Sequence, residues 1–217
     1  MDLNTAWPVP FFIDPQHLAV DAVVSFVISV LLAVTINAEA QAYVALFLGD
    51  YRPQAKDRLH FNPFLHLDIL GSICYLAGGF GWSRTMDIDP SKFKHPRLFT
   101  IITRAAGPFA NFLLANIAGS IVYMMKIVDF DPRVFLMVVG VNVTTAVYNL
   151  LPLPPMAAGA LIHALIPGSL SRVRRVFWQA GPFLLVALVL WERITQKGLI
   201  SPYLNPLVTM LMKFIAG

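Results

Sequence analysis

The stretch VTINAEAQAYVALFLGD, residues 34–50, consists of helix-forming residues and contains neither glycine nor proline before Gly49. This composition predicts a helix that ends at Gly49. Asn37 and Gln41 are four positions apart in it, so their side-chain amides lie on one face of the helix. Their neighbours are mostly Ala, Val, Ile and Leu, and the two amides therefore mark the position around which the rest of the chain is arranged.

The composition is that of an integral membrane protein. Hydrophobic residues make up 57% of the 217 residues and charged residues 13%, whereas soluble domains carry roughly 25% charged residues. The chain is long enough for several spans with short loops, and hence for one compact membrane domain. The single cysteine, Cys74, lies in an apolar run, so the sequence excludes a disulfide framework and a thiolate zinc site.

The distribution of charge predicts the orientation in the membrane. The net charge of +4 comes from basic residues divided among loops next to apolar segments. Cytoplasmic anchoring explains this pattern better than nucleic acid binding, and no nucleic acid partner is predicted. The N-terminal segment MDLNTAWPVPFFIDP is acidic and lacks the basic start of a signal peptide. We expect a multi-pass protein with its N-terminus outside and its C-terminus cytoplasmic.

The apolar segments predict an all-α membrane protein with about five transmembrane helices and one re-entrant or interfacial hairpin. The hairpin is assigned to residues 64–82, which contain several glycines and lie between two basic loops. Three parts follow along the chain: an interfacial arm at 1–15, a membrane core at 16–175 and C-terminal transmembrane helices at 176–217. The predicted spans are residues 16–48, 99–127, 134–151, 176–191 and 200–216.

Ionisable side chains near the hairpin leave two interpretations open. Glu39 lies deep in the first helix, roughly opposite the two amides, and is either functional or paired with a loop arginine. His60 and His66 flank the hairpin with Asp68 nearby, which is compatible with a His/His/Asp metal site. Polar anchoring at the membrane interface is the favoured interpretation of these three residues.

The spacing of Asn37, Ala38 and Gln41 is that of the helical HExxH motif, in which two histidines hold zinc and the glutamate is the general base. Together with five segments in the same order, it makes the chain resemble the site-2 protease family of intramembrane zinc metalloproteases, specifically its compact bacterial branch. The resemblance covers about residues 30–170 and implies a bacterial inner-membrane protein. The segments are AQAYVALFLGD (40–50), LHFNPFLHLDILG (59–71), GGFGW (78–82) with IDPSKFKHPR (88–97), AAGPFANFLLA (105–115) and NLLPLPPMAAGALI (149–162).

The family's catalytic positions carry other residues in this chain. Where the family has its two histidine ligands the chain has Asn37 and Gln41, and Ala38 replaces the general base. Ala157 replaces the aspartate that is the third ligand in the family. Amides are poor zinc ligands and alanine is none. These positions therefore predict no catalytic residue, no metal site, no cofactor and no enzymatic activity.

The remaining features predict a binding protein. Asn142, Asn149, Pro154 and Pro155 are candidates for a cleft that binds a partner, because the family uses such asparagines to hold substrate and the proline turn frees carbonyls. The leading hypothesis is a catalytically inactive scaffold in a larger complex, with integral membrane proteins and lipids as partners. One alternative is a divergent intramembrane zinc metalloprotease. Another is a protein that handles lipid, quinone or ions along a polar path through Asn37, Gln41 and the two other asparagines.

Overall fold

The computed structural model describes residues 20–52 and 59–217, and these residues are folded almost entirely as helices. The predicted arm at 1–15, the start of the first helix near residue 16 and the basic residues Lys56 and Arg58 lie outside the described residues. We number the helices α1 Val20–Phe47, α2 Pro63–His66, α3 Ile69–Gly78, α4 Pro96–Ile127, α5 Arg133–Tyr148, α6 Ala157–Leu165, α7 Ser171–Thr195 and α8 Ser201–Ala216. Short 3-10 turns at Pro90–Lys92 and Gly168–Leu170 precede α4 and α7.

Within the described part of the chain, three helical segments are long and apolar enough to cross a membrane: Val20–Phe47, Pro96–Ile127 and Gly168–Thr195. The class of an all-helical membrane protein is therefore confirmed, but the count of about five spans is not. At about 1.5 Å per residue, a helix of the length of α5 or α8 covers about 24 Å, which is less than the roughly 30 Å hydrocarbon layer. Many large apolar side chains of α1 and α4 point outward, as expected of surfaces that face lipid.

The centre of the bundle is formed by α1, α4 and α5, which pack against one another in all three pairs. Small and β-branched side chains fill the contact, among them Ala33 on α1, Ala115 on α4 and Val139 on α5, each fully buried. A larger apolar cluster extends from α4 and α5 to α3, α7 and α8. These three helices carry the cluster of side-chain amides described below.

Residues 66–84 form a hairpin, in agreement with the predicted return of the chain. Leu67 and Ser83 pair as an isolated antiparallel bridge, and Arg84 N donates to His66 O at 2.7 Å. The two arms approach so closely that a Cβ on Gly71 or Gly81 would collide with the opposite arm. Only glycine allows this approach, which fixes the position of α3 against the bundle.

The end of α8 lies where α4 ends and α5 begins. Lys126 Nζ donates to Ala216 O at 2.6 Å, and Arg133 at the start of α5 lies 3.8 Å from the Asp21 carboxylate at the start of α1. The described C-terminus is therefore at the same end of the bundle as the start of α1, and the orientation of the two chain termini across a membrane stays a prediction. The α7–α8 connection lies beside the far end of α5, where Tyr148 Oη donates to Asn205 Oδ1 at 2.8 Å.

Candidate functional site

The two amides on α1 contact each other as the helical spacing predicts. Gln41 Nε2 donates to Asn37 Oδ1 at 2.8 Å, and Ser83 Oγ of the hairpin donates to the same oxygen at 3.2 Å. Asn37 is 5% exposed. The α1 amides therefore bring the hairpin and the first helix together in the interior of the bundle.

Asn111 of α4 connects these amides to α5. Asn37 Nδ2 donates to Asn111 Oδ1 at 2.7 Å. Asn111 Nδ2 in turn donates to Asn142 Oδ1 and to Ala33 O, both at 2.9 Å. Asn111 and Asn142 are fully buried. The sequence analysis did not single out Asn111 as a site residue, although it occurs in one of the five family segments.

The hydrogen bonds of this cluster form a series in which each side-chain amide accepts from the group before it and donates to the group after it. Arg104 Nη1 donates to Gln41 Oε1 at 3.0 Å, and the series continues through Asn37 and Asn111 to Asn142, whose Nδ2 donates to Val138 O at 2.9 Å. Because each amide accepts from the previous group and donates to the next, the bonds polarise one another cooperatively. We call this series, Arg104–Gln41–Asn37–Asn111–Asn142, the amide relay.

Gly107 allows α4 to approach the relay. A Cβ at this position would lie 2.6 Å from Asn37 Oδ1 and 2.7 Å from Gln41 Nε2. Real side chains do not tolerate such contacts, so the small residue is required for the α1–α4 distance. Gly107 therefore packs directly against the face of α1 that carries Asn37 and Gln41.

The positions at which the family has its zinc ligands do not form a zinc-binding donor set here. Asn37 and Gln41 use their amides within the relay, and Ala38 between them is 6% exposed. Ala157 is the first residue of α6, and its backbone N–H donates to Asn149 Oδ1 at 3.1 Å. None of these groups is an N, S or carboxylate ligand of the kind catalytic zinc needs.

A second polar cluster lies near Glu39, and it consists of Glu39, His60 and His66. One ligand atom from each of the three lies within 4.8 Å of the other two. The imidazole rings of His60 and His66 stack with their centroids 4.6 Å apart. Glu39 and His66 are about 5% exposed or less, while His60 is more exposed. A carboxylate and two imidazoles thus converge beside the hairpin.

The two oxygens of Glu39 have different surroundings. Oε1 accepts from the backbone N–H groups of His60 and Phe61 at 3.0 and 2.9 Å and lies 3.0 Å from His66 Nε2. Oε2 is buried and has no hydrogen-bond partner among residues 20–52 and 59–217. A buried carboxylate oxygen without a partner is costly, and a bound cation would remove this cost. The donor set of one glutamate and two histidines fits zinc, for which His₂Glu is an established catalytic ligand set.

The sequence analysis paired His60 and His66 with Asp68, but the structure brings Glu39 to them instead. Asp68 caps the start of α3, and its Oδ1 accepts from Gly71 N and Trp82 Nε1, each at 2.9 Å. Among the described residues, His66 and two backbone N–H groups contact Glu39; Lys56 and Arg58 of the basic loop lie outside these residues, so the pairing of Glu39 with a loop arginine stays a prediction. Glu39 and His66 are 27 residues apart, and their contact depends on how the chain between them folds.

The residues predicted to line a partner-binding cleft make internal contacts. Asn149 donates to Thr145 O at 2.8 Å and is not part of the amide relay, which includes only Asn142 of the two. Pro154 is buried, and the glycine at Gly181 on α7 lets that helix contact its carbonyl. The peptide bond between Pro154 and Pro155 is cis. Partner binding at these four positions remains a prediction.

A buried ion pair fixes the chain just beyond α1. Arg52 donates to both oxygens of Asp50 at 2.7 and 2.8 Å and to Asp87 Oδ2 at 3.0 Å. The Asp50 side chain is fully buried. The hydrogen bonds from Arg52 hold the pKa of Asp50 below its ordinary value, because they stabilise the charged carboxylate. This ion pair connects the end of α1 to the loop that leads into α4.

Together, the helical bundle and the Glu39, His60 and His66 cluster define a membrane protein with a potential metal-binding site. Over 189 residues the chain is 32% identical to the "Putative zinc metalloprotease YwhC" of Bacillus subtilis, with 82% of this chain and 85% of that protein covered. The chain therefore belongs to the same family, which supports the site-2-protease-like assignment. No protein-family model matches the chain, and no solved structure matches it significantly.

These findings correct one prediction of the sequence analysis. The chain was predicted not to be an enzyme, because its family ligand positions are Asn37, Ala38, Gln41 and Ala157. That prediction is wrong: the relative is named a zinc metalloprotease, and Glu39, His60 and His66 form a cluster that can hold a metal ion. The error arose because polar anchoring was favoured over a metal site for His60 and His66, and because Glu39 was not expected beside them. The predicted membership in a larger complex remains a prediction.

Proposed function

We propose that this protein is a divergent intramembrane zinc metalloprotease whose metal ligands are Glu39, His60 and His66. The observation that carries the proposal is the buried Oε2 of Glu39, which lies next to two imidazoles and has no partner in the part of the chain that the structure describes. The family membership supports zinc and peptide-bond hydrolysis as the chemistry. The site differs from the family's HExxH arrangement but is built on the same helix.

The ligand residues are held by the surrounding fold. Two backbone N–H groups fix Glu39 through Oε1, which leaves Oε2 as the oxygen directed to a cation. His66 is the last residue of α2, whose start is capped by Asn62. Asn62 N donates to His60 Nδ1 at 3.2 Å, so in the neutral ring Nδ1 holds the lone pair and is the nitrogen that would bind a cation in place of this hydrogen bond.

Three protein ligands leave one position of a tetrahedral zinc site open for water or substrate. When bound, zinc would lower the pKa of a water molecule and polarise a carbonyl. The chain's own contribution is to position the ligands and to exclude bulk water, since Glu39 and His66 are buried. The amide relay contributes rigidity to α1, the helix that carries Glu39. We propose that a substrate peptide docks at the turn that contains Pro154 and Pro155.

The basic end of the bundle gives the proposed orientation. Arg97 at the start of α4 and the arginines at the start of α7 lie at the ends of those helices away from the α4–α5 connection. The positive-inside tendency places this end in the cytoplasm. The start of α1 and the end of α8 would then both lie on the outer side, and the LPLPP turn would lie in the half of the bundle nearer the cytoplasm.

The test is the metal content of the purified full-length protein. We expect about one zinc per chain by inductively coupled plasma mass spectrometry, and loss of most of it in Glu39→Gln and His66→Asn. His95→Asn is the matched control, because His95 contacts only Phe99 among the described aromatic rings. Cleavage of a membrane-embedded peptide should require Glu39 and should be abolished by chelation. Wild-type protein that contains no more zinc than the Glu39→Gln variant would refute the site.

A further inference from the structure

A pocket of about 630 Å³ opens between α4, α6 and α7, away from the proposed zinc ligands. Its charged lining is predominantly positive, with three arginines from two helices: Arg97 and Arg104 on α4 and Arg174 on α7. His163 of α6 and the indole of Trp178 complete this side of the pocket. Neither the proposed zinc site nor the amide relay explains why so many cationic groups converge here.

The carboxylate in this lining does not cancel the positive charge. Asp87 is the acidic residue of the pocket wall, and its Oδ2 accepts from Arg52 Nη1 at 3.0 Å. Its negative charge is therefore already shared with a cation outside the lining. Arg97 and Arg174 are exposed, so both guanidinium groups can reach a ligand that enters from the surface.

The Arg104 side chain has a fixed orientation in the lining of the pocket. Nη1 donates to Gln41 Oε1 at 3.0 Å and Nη2 donates to Met86 O at 2.8 Å. Its Cζ lies 5.8 Å from the centre of the Trp178 ring. These contacts hold the guanidinium in one orientation, and a preorganised guanidinium binds an anion at a lower entropic cost than a mobile one.

An adjoining pocket of about 350 Å³ extends the basic surface along α7. It shares His163, Arg174 and Trp178 with the first pocket and adds Arg175. The apolar part of the first pocket is lined by residues such as Ile88, Ala160 and Ile166. The combined space therefore offers both cationic groups and apolar surface to an amphiphile with an anionic head.

We propose that this pocket binds a phosphate-bearing anion, for which an anionic phospholipid headgroup and a soluble phosphate compound are the two sources. Arginine suits phosphate because its planar fork donates two parallel hydrogen bonds to phosphate oxygens. Basic pockets between transmembrane helices on the cytoplasmic side are a recognised way of binding lipid headgroups. The proposal is independent of the zinc site, since it involves none of the three zinc ligands.

The experiment measures thermal unfolding of the full-length protein in a nonionic detergent, with reaction of Cys74 with a fluorescent maleimide as the readout. The buried Cys74 is the chain's single cysteine, so its labelling reports unfolding. The probes are dioctanoyl phosphatidylglycerol, dioctanoyl phosphatidylcholine, glycerol 3-phosphate and inorganic phosphate. We expect phosphatidylglycerol to raise the unfolding temperature and phosphatidylcholine to leave it unchanged. A rise with glycerol 3-phosphate or inorganic phosphate as well would identify a soluble compound as a source.

The variant Arg97→Gln/Arg174→Gln should bind the anion about 25-fold more weakly, at about fivefold per arginine. Arg172→Gln is the matched control: it lies on α7 beside Arg174 but does not line either pocket. If the double variant already unfolds at a lower temperature without ligand, Arg97→Gln and Arg174→Gln are measured separately in its place. No stabilisation by any anionic probe, or equal stabilisation of wild-type and double variant, would overturn the proposal.

Discussion

Replacing Asn111 with alanine is the sharpest test of the amide relay, because this residue connects all three central helices. The change removes three hydrogen bonds: the one accepted from Asn37 and the two donated to Ala33 O and Asn142. The remaining amides of Asn37 and Asn142 stay in the interior, where water does not replace the lost partner. The relay is thereby interrupted between α1 and α5.

The magnitude follows from the number of bonds. Side-chain hydrogen bonds between membrane helices contribute about 0.6 kcal/mol on average and up to about 1.7 kcal/mol each. Three bonds at the average value give about 2 kcal/mol, and a small cavity adds about 1 kcal/mol because Asn111 is fully buried. We expect Asn111→Ala to be destabilised by about 3 kcal/mol in total.

Equilibrium unfolding in mixed micelles, followed by labelling of Cys74, measures this change. Asn116→Ala is the control. Asn116 is also on α4, and its replacement removes one side-chain hydrogen bond, to Phe112 O one turn earlier in α4. Its cost should stay below about 1 kcal/mol. If Asn111→Ala and Asn116→Ala are destabilised equally, the relay does not contribute to stability and the reasoning is refuted.

Two further predictions concern packing and charge. Gly107→Ala should destabilise the protein by about 1–3 kcal/mol, because the added methyl group would collide with Asn37 and Gln41. Gly140→Ala is the control, because its methyl group meets only the flexible end of Met212. Equal unfolding temperatures of the two variants would contradict the close contact of Gly107 with α1. Asp50→Asn should cost about 2 kcal/mol at neutral pH. Because the pKa of Asp50 is lowered from 3.8 on folding, this contribution is present above that value and lost as the pH falls further. Wild-type stability should therefore approach that of Asp50→Asn in acid, and a constant difference would argue against the ion pair.

The helices were largely predictable from the sequence. The segments expected at residues 99–127 and 200–216 are α4 and α8 with nearly the same limits, because prolines and acidic turns end the apolar runs. The contact of Asn37 with Gln41 followed from helical periodicity alone. These features depend on residues close in sequence, where spacing determines geometry.

The features that were missed depend on contacts between distant segments. Asn111 is 74 residues from Asn37, and no local pattern distinguishes it from the other asparagine of α4, Asn116. Glu39 meets His60 and His66 only because the hairpin folds back beside α1. The direction of α8 relative to α5 also depends on such contacts: Glu192 near the end of α7 accepts backbone N–H groups at the start of α8, and Tyr148 at the end of α5 donates to Asn205 of α8.

The two faces of α1 explain why the metal is proposed at Glu39 and not at the family's position. On one face, Asn37 and Gln41 satisfy their amides within the relay, so that face has no need of a cation to complete its hydrogen bonds. On the other face, Glu39 has one oxygen fixed by two N–H groups, and its other oxygen is buried with no partner among the described residues. A cation that binds to α1 gains more on the face where a carboxylate oxygen is unpaired, because it restores an interaction that burial has removed. In the proposed site, the ligand on α1 thus lies two residues beyond the family's first ligand position and on the opposite face of the helix.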